Sequence, residues 1–366
     1  MGFQGKEGWA RTEIEDRGQE GSGQESPAHN SFVILNCKKH IMEKLRGVHH
    51  VTAITSNAEK NYDFFTHVLG MRLVKKTVNQ DDVQTYHLFF ADDSGSAGTD
   101  MTFFDFQGIS KGVHGTNEIS RTSFRVLSDV ALEYWTKRFD RLDIKHSGIQ
   151  MQFGKKTLPF VDFDDQQYQL ISDQHNQGVA SGFPWQKGPV PLDYAITGLG
   201  PVFVRIADFP SFKSILEQVF LFGETAQENS FHLFETGEGG NGASLIVEED
   251  AEIPPARQGY GTVHHAAFRV ADRSQLDQWI ERFETLGLPS SGYVNRYFFE
   301  SLYIRVAPQI LFELATDGPG FMGDEPYETL GEKLSLPPFL EPKRAEIEKM
   351  VRSIDTVRSN KEFIKE

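Results

Sequence analysis

The chain has 366 residues, a formal net charge of -15 and a single cysteine, Cys37. This acidity argues against nucleic acid or an anionic membrane surface as partner, since both are held mainly by Lys and Arg. One cysteine allows no internal disulfide, thiolate zinc site or iron–sulfur cluster within the chain. With 39% hydrophobic residues and 30 Phe, the composition is that of a globular protein with an aromatic interior, long enough for two domains. No apolar run approaches the roughly 20 residues that span a bilayer, and Ser31 to Leu35 is shorter than the about 7 to 15 apolar residues of a secretory signal. A reducing compartment, the cytoplasm, is the expected location.

Residues 1–41 are rich in Gly, Glu, Gln and Ser without sustained periodicity and read as a disordered leader; Met42 stands where an alternative translation start would explain it. A first unit follows: a strand over 47–55, a helix over 58–69 ending at Gly70, and strands over 84–90 and 100–106. A second has a strand over 120–127, a helix over 129–140 and a hairpin turning at Asp164 and Asp165. The Gly- and Pro-rich stretch 178–192 reads as a linker. A third unit spans about 196–250 with a helix over 210–221 and a Gly-rich turn. A fourth spans 261–317, with a helix over 273–286 and a final hairpin turning at Ala307 and Pro308. Residues 318–366 read as an extended arm followed by a charged helix over 343–357.

The four units repeat one pattern. His50 is followed seven residues later by Asn57, and His265 by Asp272 at the same interval. Asn and Asp are favoured helix N-caps. The same interval leads from Arg121 to Ser128 and from Pro201 to Asp208. The expected fold is therefore α+β, built of four βαβββ modules, of which only the outer two carry a histidine doublet, His49-His50 and His264-His265.

These four modules, the motif Gly47-Val48-His49-His50-Val51-Thr52-Ala53-Ile54-Thr55, the run from Phe312 through Glu313 to Phe321, and the tail from Leu330 to Pro338 resemble the vicinal oxygen chelate superfamily. Within it, residues 45–350 resemble hydroquinone-type, ring-cleaving extradiol dioxygenases. The resemblance implies two vicinal-oxygen-chelate barrels, one over 45–177 (modules one and two) and one over 193–317 (modules three and four). It implies metal ligands His50, His265 and Glu313, an Fe(II) cofactor, a small aromatic diol substrate and O2. By the same resemblance Thr52, His264, Arg296 and Tyr303 stand beside the metal as catalytic residues, His264 also as an acid or base. The leader departs from the family, whose members begin close to the first strand.

The residue types suit that chemistry. Two imidazoles and one carboxylate form the facial triad that holds Fe(II) with adjacent positions open. A histidine alone is more often a core residue, but two at the same repeat position shift that balance. Strand alternation turns one member of each doublet to the barrel and leaves the other outside it or behind the ligand. Two carboxylates compete with Glu313: Glu248, at a similar interval in the third module, and Asp105, which would give a four-ligand site like that of glyoxalase I. A glyoxalase-like lyase and a non-catalytic binding protein for aromatic electrophiles stay open as alternatives. A homo-oligomer is compatible with these residues, which do not fix an oligomeric state. If His50, His265 and Glu313 share one ion, modules one and four must share one barrel and modules two and three the other, against the naive division at the linker.

Overall fold

The computed structural model describes residues 42–359 and 364–365; the leader expected over 1–41 lies outside them. Module one is β1 (Val48–Ile54), α1 (Ala58–Asp63), β2 (Arg72–Val78), β3 (Tyr86–Ala91) and β4 (Asp100–Asp105). Module two is β5 (Glu118–Val126), α2 (Asp129–Arg141), β6 (Gln150–Gln152), β7 (Lys155–Val161) and β8 (Gln167–Ser172). Module three is β9 (Ile196–Ile206), α3 (Phe209–Ser214), β10 (Gly223–Glu228), β11 (Phe231–Glu235) and β12 (Ser244–Glu249). Module four is β13 (Thr262–Val270), α4 (Arg273–Thr285), β14 (Tyr293–Asn295), β15 (Phe299–Ala307) and β16 (Ile310–Pro319).

The helix of each module starts where the repeat interval puts it. The side chains of Asn57, Ser128, Asp208 and Asp272 each accept a hydrogen bond from a backbone N–H of the first turn, satisfying donors the helix leaves unpaired. The helices of modules one and three differ from the expected regular runs over 58–69 and 210–221. Each widens after six residues into one π-helical turn, Phe64–Val68 and Ile215–Val219. Such a turn accommodates one extra residue within a helix, which amphipathic spacing does not register.

The strands form two curled sheets of eight, ordered β14-β15-β16-β13-β1-β4-β3-β2 and β10-β11-β12-β9-β5-β8-β7-β6. Modules one and four are joined by antiparallel pairing of β1 with β13, and modules two and three by that of β5 with β9. The outer modules thus share one barrel, as a three-ligand site requires, and the stretches 45–177 and 193–317 each supply half of both sheets. The helices cover the sheets with aromatic faces: Trp135 and Phe139 of α2 and Trp279 and Phe283 of α4 are fully buried. Phe65 packs its ring 4.9 Å from Phe90 and 4.8 Å from Phe103, and each such side chain contributes about 1.5–3 kcal/mol by burial.

The terminal helix is shorter than the expected 343–357. It is α5 (Arg344–Met350), after which the backbone becomes extended at Val351. Val351, Ile354, Thr356 and Arg358 are buried there, and a helix could not present them all to the same surface. Thr356 Oγ1 donates to Gly331 O and Glu332 O, and the Arg358 guanidinium donates to Leu73 O and Leu330 O. This arm straps module one from outside.

The pairing has a direct test. Fragments 42–177 and 178–366 each lack half of both sheets, so neither alone is expected to show a cooperative unfolding transition, whereas their mixture regains one. A cooperative transition in either isolated fragment, followed by circular dichroism in urea, would mean that sequence neighbours form complete barrels.

Candidate metal centre

Six adjacent strands, β15, β16, β13, β1, β4 and β3, place the polar side chains of the outer barrel. Across β1 and β13, Thr52 stands opposite His265 and His50 opposite Ala267. Glu313 on β16 lies beside Ala267 and opposite Tyr303 on β15. These registers bring three donor atoms together. His50 Nε2 and His265 Nε2 are 3.2 Å apart, and Glu313 Oε2 lies 3.2 Å from the first and 3.0 Å from the second. His50 is 1%, His265 4% and Glu313 0% exposed.

This triangle fits a metal ion. Nitrogen and oxygen ligands bind at about 2.0–2.2 Å, so donors at right angles on one ion stand about 3 Å apart. Glu313 Oε2 is buried and receives no hydrogen bond of acceptable geometry, whereas Oε1 accepts from Ser301 Oγ at 2.6 Å. One carboxylate oxygen is thereby fixed by the protein and the other left for an ion. Burial alone would push the Glu313 carboxyl up, but His50 and His265 hold it well below the ordinary carboxylate range. Among the described residues, this is the group of His, Cys, Asp and Glu side chains placed to share a metal.

The first histidine of each doublet does not face away. The β1–β13 register slips between Val48 and His50 and again between Thr52 and Ala53, leaving His49 and His264 at irregularities of the ladder. At such a bulge, consecutive side chains escape strict alternation. His49 Nδ1 lies 2.9 Å from His50 Nδ1 and its Nε2 lies 3.1 Å from Thr316 O. Burial pushes His49 down to about 3, with His50 adding to the effect, so its ring is neutral with one N–H. That N–H is used on Thr316 O. His50 must then donate from Nδ1, which leaves a lone pair on the Nε2 that faces the triangle. His264 stands in the same relation to His265, Nδ1 to Nδ1 at 2.8 Å.

The remaining expected residues also surround this point. Thr52 Oγ1 is 2.9 Å from His265 Nε2. The Tyr303 ring lies 6.0 Å from that of His265, and its hydroxyl accepts from Arg296 Nε at 3.0 Å. Burial, with the Glu313 charge adding to it, pushes the Tyr303 phenol up, so it stays protonated. Gln80 and Asp81 from the β2–β3 loop hold Arg296, through its carbonyl at 2.7 Å and its guanidinium at 2.9 Å. Phe104 and Phe299 wall the site, 5.3 Å from His264 and 5.1 Å from His50.

The competing carboxylates are elsewhere. In each module one residue of the last strand stands where Glu313 stands beside Ala267: Thr102 beside Thr52, Gln169 beside Ser123 and Ile246 beside Phe203. Neither Asp105 nor Glu248 is that residue. Asp105 is paired with Arg352 at 2.9 Å, and Glu248 with Arg205 at 2.7 Å. In the inner barrel the repeat position of His265 is Arg121, whose guanidinium donates to Gln169 Oε1 at 3.3 Å and lies 5.0 Å from the Phe203 ring. Sequence reasoning missed Ser301, Thr102, His87, Gln80 and Asp81. Ser301 was legible as a residue two before Tyr303 on one strand face; the others become visible only once the registers are known.

Replacing His50, His265 or Glu313 by Ala is expected to remove most bound metal. Ser301→Ala and His49→Ala are expected to keep it but weaken affinity by about 10- to 100-fold, the usual cost of losing a partner that orients a ligand. Metal content after dialysis against a graded chelator separates the two groups; full occupancy in His265→Ala would remove the triad from consideration.

The model of the Glyoxalase/Bleomycin resistance protein/Dioxygenase superfamily matches residues 47–149. A Bacillus subtilis protein named ring-cleaving dioxygenase MhqA is 41% identical over 316 residues, covering 85% of this chain and 99% of its own. The chlorohydroquinone/hydroquinone 1,2-dioxygenase of Sphingobium indicum is 31% identical over 307 residues, covering 82% of this chain and 94% of its own. A crystal structure described as that of a dioxygenase from Bacillus subtilis superposes with a TM-score of 0.79 at 32% identity, covering 86% of this chain and 99% of that one. By identity and coverage together, the chain belongs to the Glyoxalase/Bleomycin resistance protein/Dioxygenase superfamily and, within it, to the family of ring-cleaving dioxygenases.

Proposed function

We propose that this protein is a cytoplasmic extradiol-type dioxygenase that holds one Fe(II) on His50, His265 and Glu313 and inserts O2 into the ring of a hydroquinone or catechol. The observation that carries the reading is the triangle of two imidazole nitrogens and one carboxylate oxygen with edges of 3.0–3.2 Å, in a chain whose relatives bear ring-cleaving names. Held by His50, His265 and Glu313, Fe(II) would supply open coordination positions and the redox chemistry that ring cleavage by O2 needs.

The chain's own residues prepare that chemistry. One carboxylate leaves a single positive charge on a divalent ion, which favours binding of a phenolate oxygen. His49 fixes the tautomer of His50, and Ser301 fixes the rotation of Glu313. Arg296 and the protonated Tyr303 offer donors to negative charge developing on oxygen, strongest where water is excluded. Phe104 and Phe299 exclude water from one side. His264 stands where a neutral imidazole can take or give a proton. A glyoxalase-like lyase needs a second inward carboxylate, and Asp105 is held by Arg352 instead.

Anaerobic reconstitution with Fe(II), followed by oxygen uptake against a panel of hydroquinones and catechols, tests the reading. Uptake is expected with Fe(II), not with Zn(II), and is abolished by chelation. Zinc- or nickel-supported turnover without O2 would place the chain among the lyases. Arg296→Ala and Tyr303→Phe are expected to retain iron while losing on the order of 2.7–4 kcal/mol of transition-state stabilisation, read from kcat.

A further inference from the structure

A file of hydrogen-bonding side chains leads out of the metal centre. Thr52 Oγ1, 2.9 Å from His265 Nε2, is 2.7 Å from Thr102 Oγ1, which is 2.9 Å from His87 Nε2. The two threonines are paired in register across β1 and β4, and His87 stands on β3 diagonally across from Thr102. Both threonines are fully buried, whereas His87 is only partly so. The file therefore runs from the buried triangle to a half-buried residue whose imidazole, held well below its ordinary range by desolvation, is neutral at rest and has a lone pair to accept with. Its members are held in place: β-branched threonines have few rotamers, and the His87 ring is clamped between Phe89 and Phe104, with centroids at 4.0 and 4.4 Å.

Resting on the functional reading above, we propose that Thr52, Thr102 and His87 form a proton relay that carries the proton of the substrate hydroxyl away from the ligand triangle. The direction follows from the site. The lone pair of His265 Nε2, once committed to an ion, no longer accepts from Thr52. Thr52 then accepts from the incoming hydroxyl and donates to Thr102 Oγ1, which donates to His87 Nε2. At the substrate one O–H bond breaks; each threonine gains one proton as it gives one up; an N–H bond forms at His87 Nε2, and His87 returns a proton from Nδ1 to water. No electrons are transferred. Thr102 and His87 act through Thr52, so they are positioning and relay groups, not catalytic residues.

The test uses the Fe(II)-loaded full chain without oxygen, mixed rapidly with 4-nitrocatechol, whose visible absorption reports ionisation of its hydroxyl. Thr102→Val is expected to slow ionisation on the order of 10²-fold, the lower range for a lost proton-transfer group, and to change its solvent deuterium effect. Iron content should stay that of the wild type. His87→Phe, which preserves the ring packing, is expected to do the same, and Thr102→Ser to recover the wild-type rate. Ionisation at the wild-type rate in both Thr102→Val and His87→Phe would overturn the relay while leaving the dioxygenase reading intact. Failure of the iron-loaded wild-type protein to ionise the probe would overturn both.

Discussion

Three donor atoms from distant parts of the chain lie 3.0–3.2 Å from one another, and the pairing of the strands is what brings them together. His50 and His265 are 215 residues apart in sequence, yet their Nε2 atoms are 3.2 Å apart. Only a β1–β13 pairing brings them there, so the first and last modules close on each other and the middle two are left to pair in the same way. The entropic cost of so long a closure is modest, since each doubling of loop length adds only about 0.6 kcal/mol. The hydrogen-bonded β1–β13 ladder and the aromatic faces packed behind it readily exceed that. The arm that follows β16 then runs back over module one, where Arg358 donates to Leu73 O and Arg352 O accepts from the Tyr86 hydroxyl.

The inner barrel shows what the fold requires without the chemistry. Arginine–carboxylate pairs recur near the strand ends of three modules: Arg125 with Asp173, Arg205 with Glu248, and Arg269 with Asp317, each at 2.7 Å. They occur in both barrels, so they belong to the module rather than to the metal site. The ligand positions behave differently. Where the outer barrel has His265 and Glu313, the inner has Arg121 and Gln169, a guanidinium with no lone pair to give and an amide without charge. A buried carboxylate such as Glu313 costs several kcal/mol unless its charge is met. The inner barrel has the neutral Gln169 at that position, and the outer meets the cost with two imidazoles, a serine hydroxyl and room for an ion.

Much of this was legible in the residues. Asn57, Ser128, Asp208 and Asp272 mark four helix starts because a cap is a local interaction, complete within three or four residues. The shared interval from each cap back to His50 and His265 made the doublets recognisable as one structural position. What escaped notice depends on information that periodicity does not contain. The π-helical turns after α1 and α3 add a residue without breaking the apolar stripe. The extended tail after Met350 is dictated by the surface of module one, not by its own helix propensity. Thr102 and His87 carry no motif; they matter because β4 and β3 lie beside β1 in one register. Asp105 stood as a rival to Glu313 for the complementary reason, since a shift of three residues along a strand is invisible until its partner is known.

The doublets themselves illustrate how register overrides pattern. In a regular strand, His49 and His50 would point to opposite faces, and one histidine of each pair would be spare. The slip in the β1–β13 ladder at His49 and at His264 removes that restriction, and each first histidine comes to lie against the Nδ1 of the second. The consequence is chemical. An imidazole binds a metal through a bare nitrogen, and in the neutral ring the proton must then sit on the other one. A carboxylate behind the ligand would secure that proton with a full negative charge, raising the charge of the site. A neutral histidine that spends its own N–H on Thr316 O secures it without adding charge. Glu313 is then the sole anion among the three clustered donors, and under the proposed reading a divalent ion held there would keep a net positive charge for an oxygen anion.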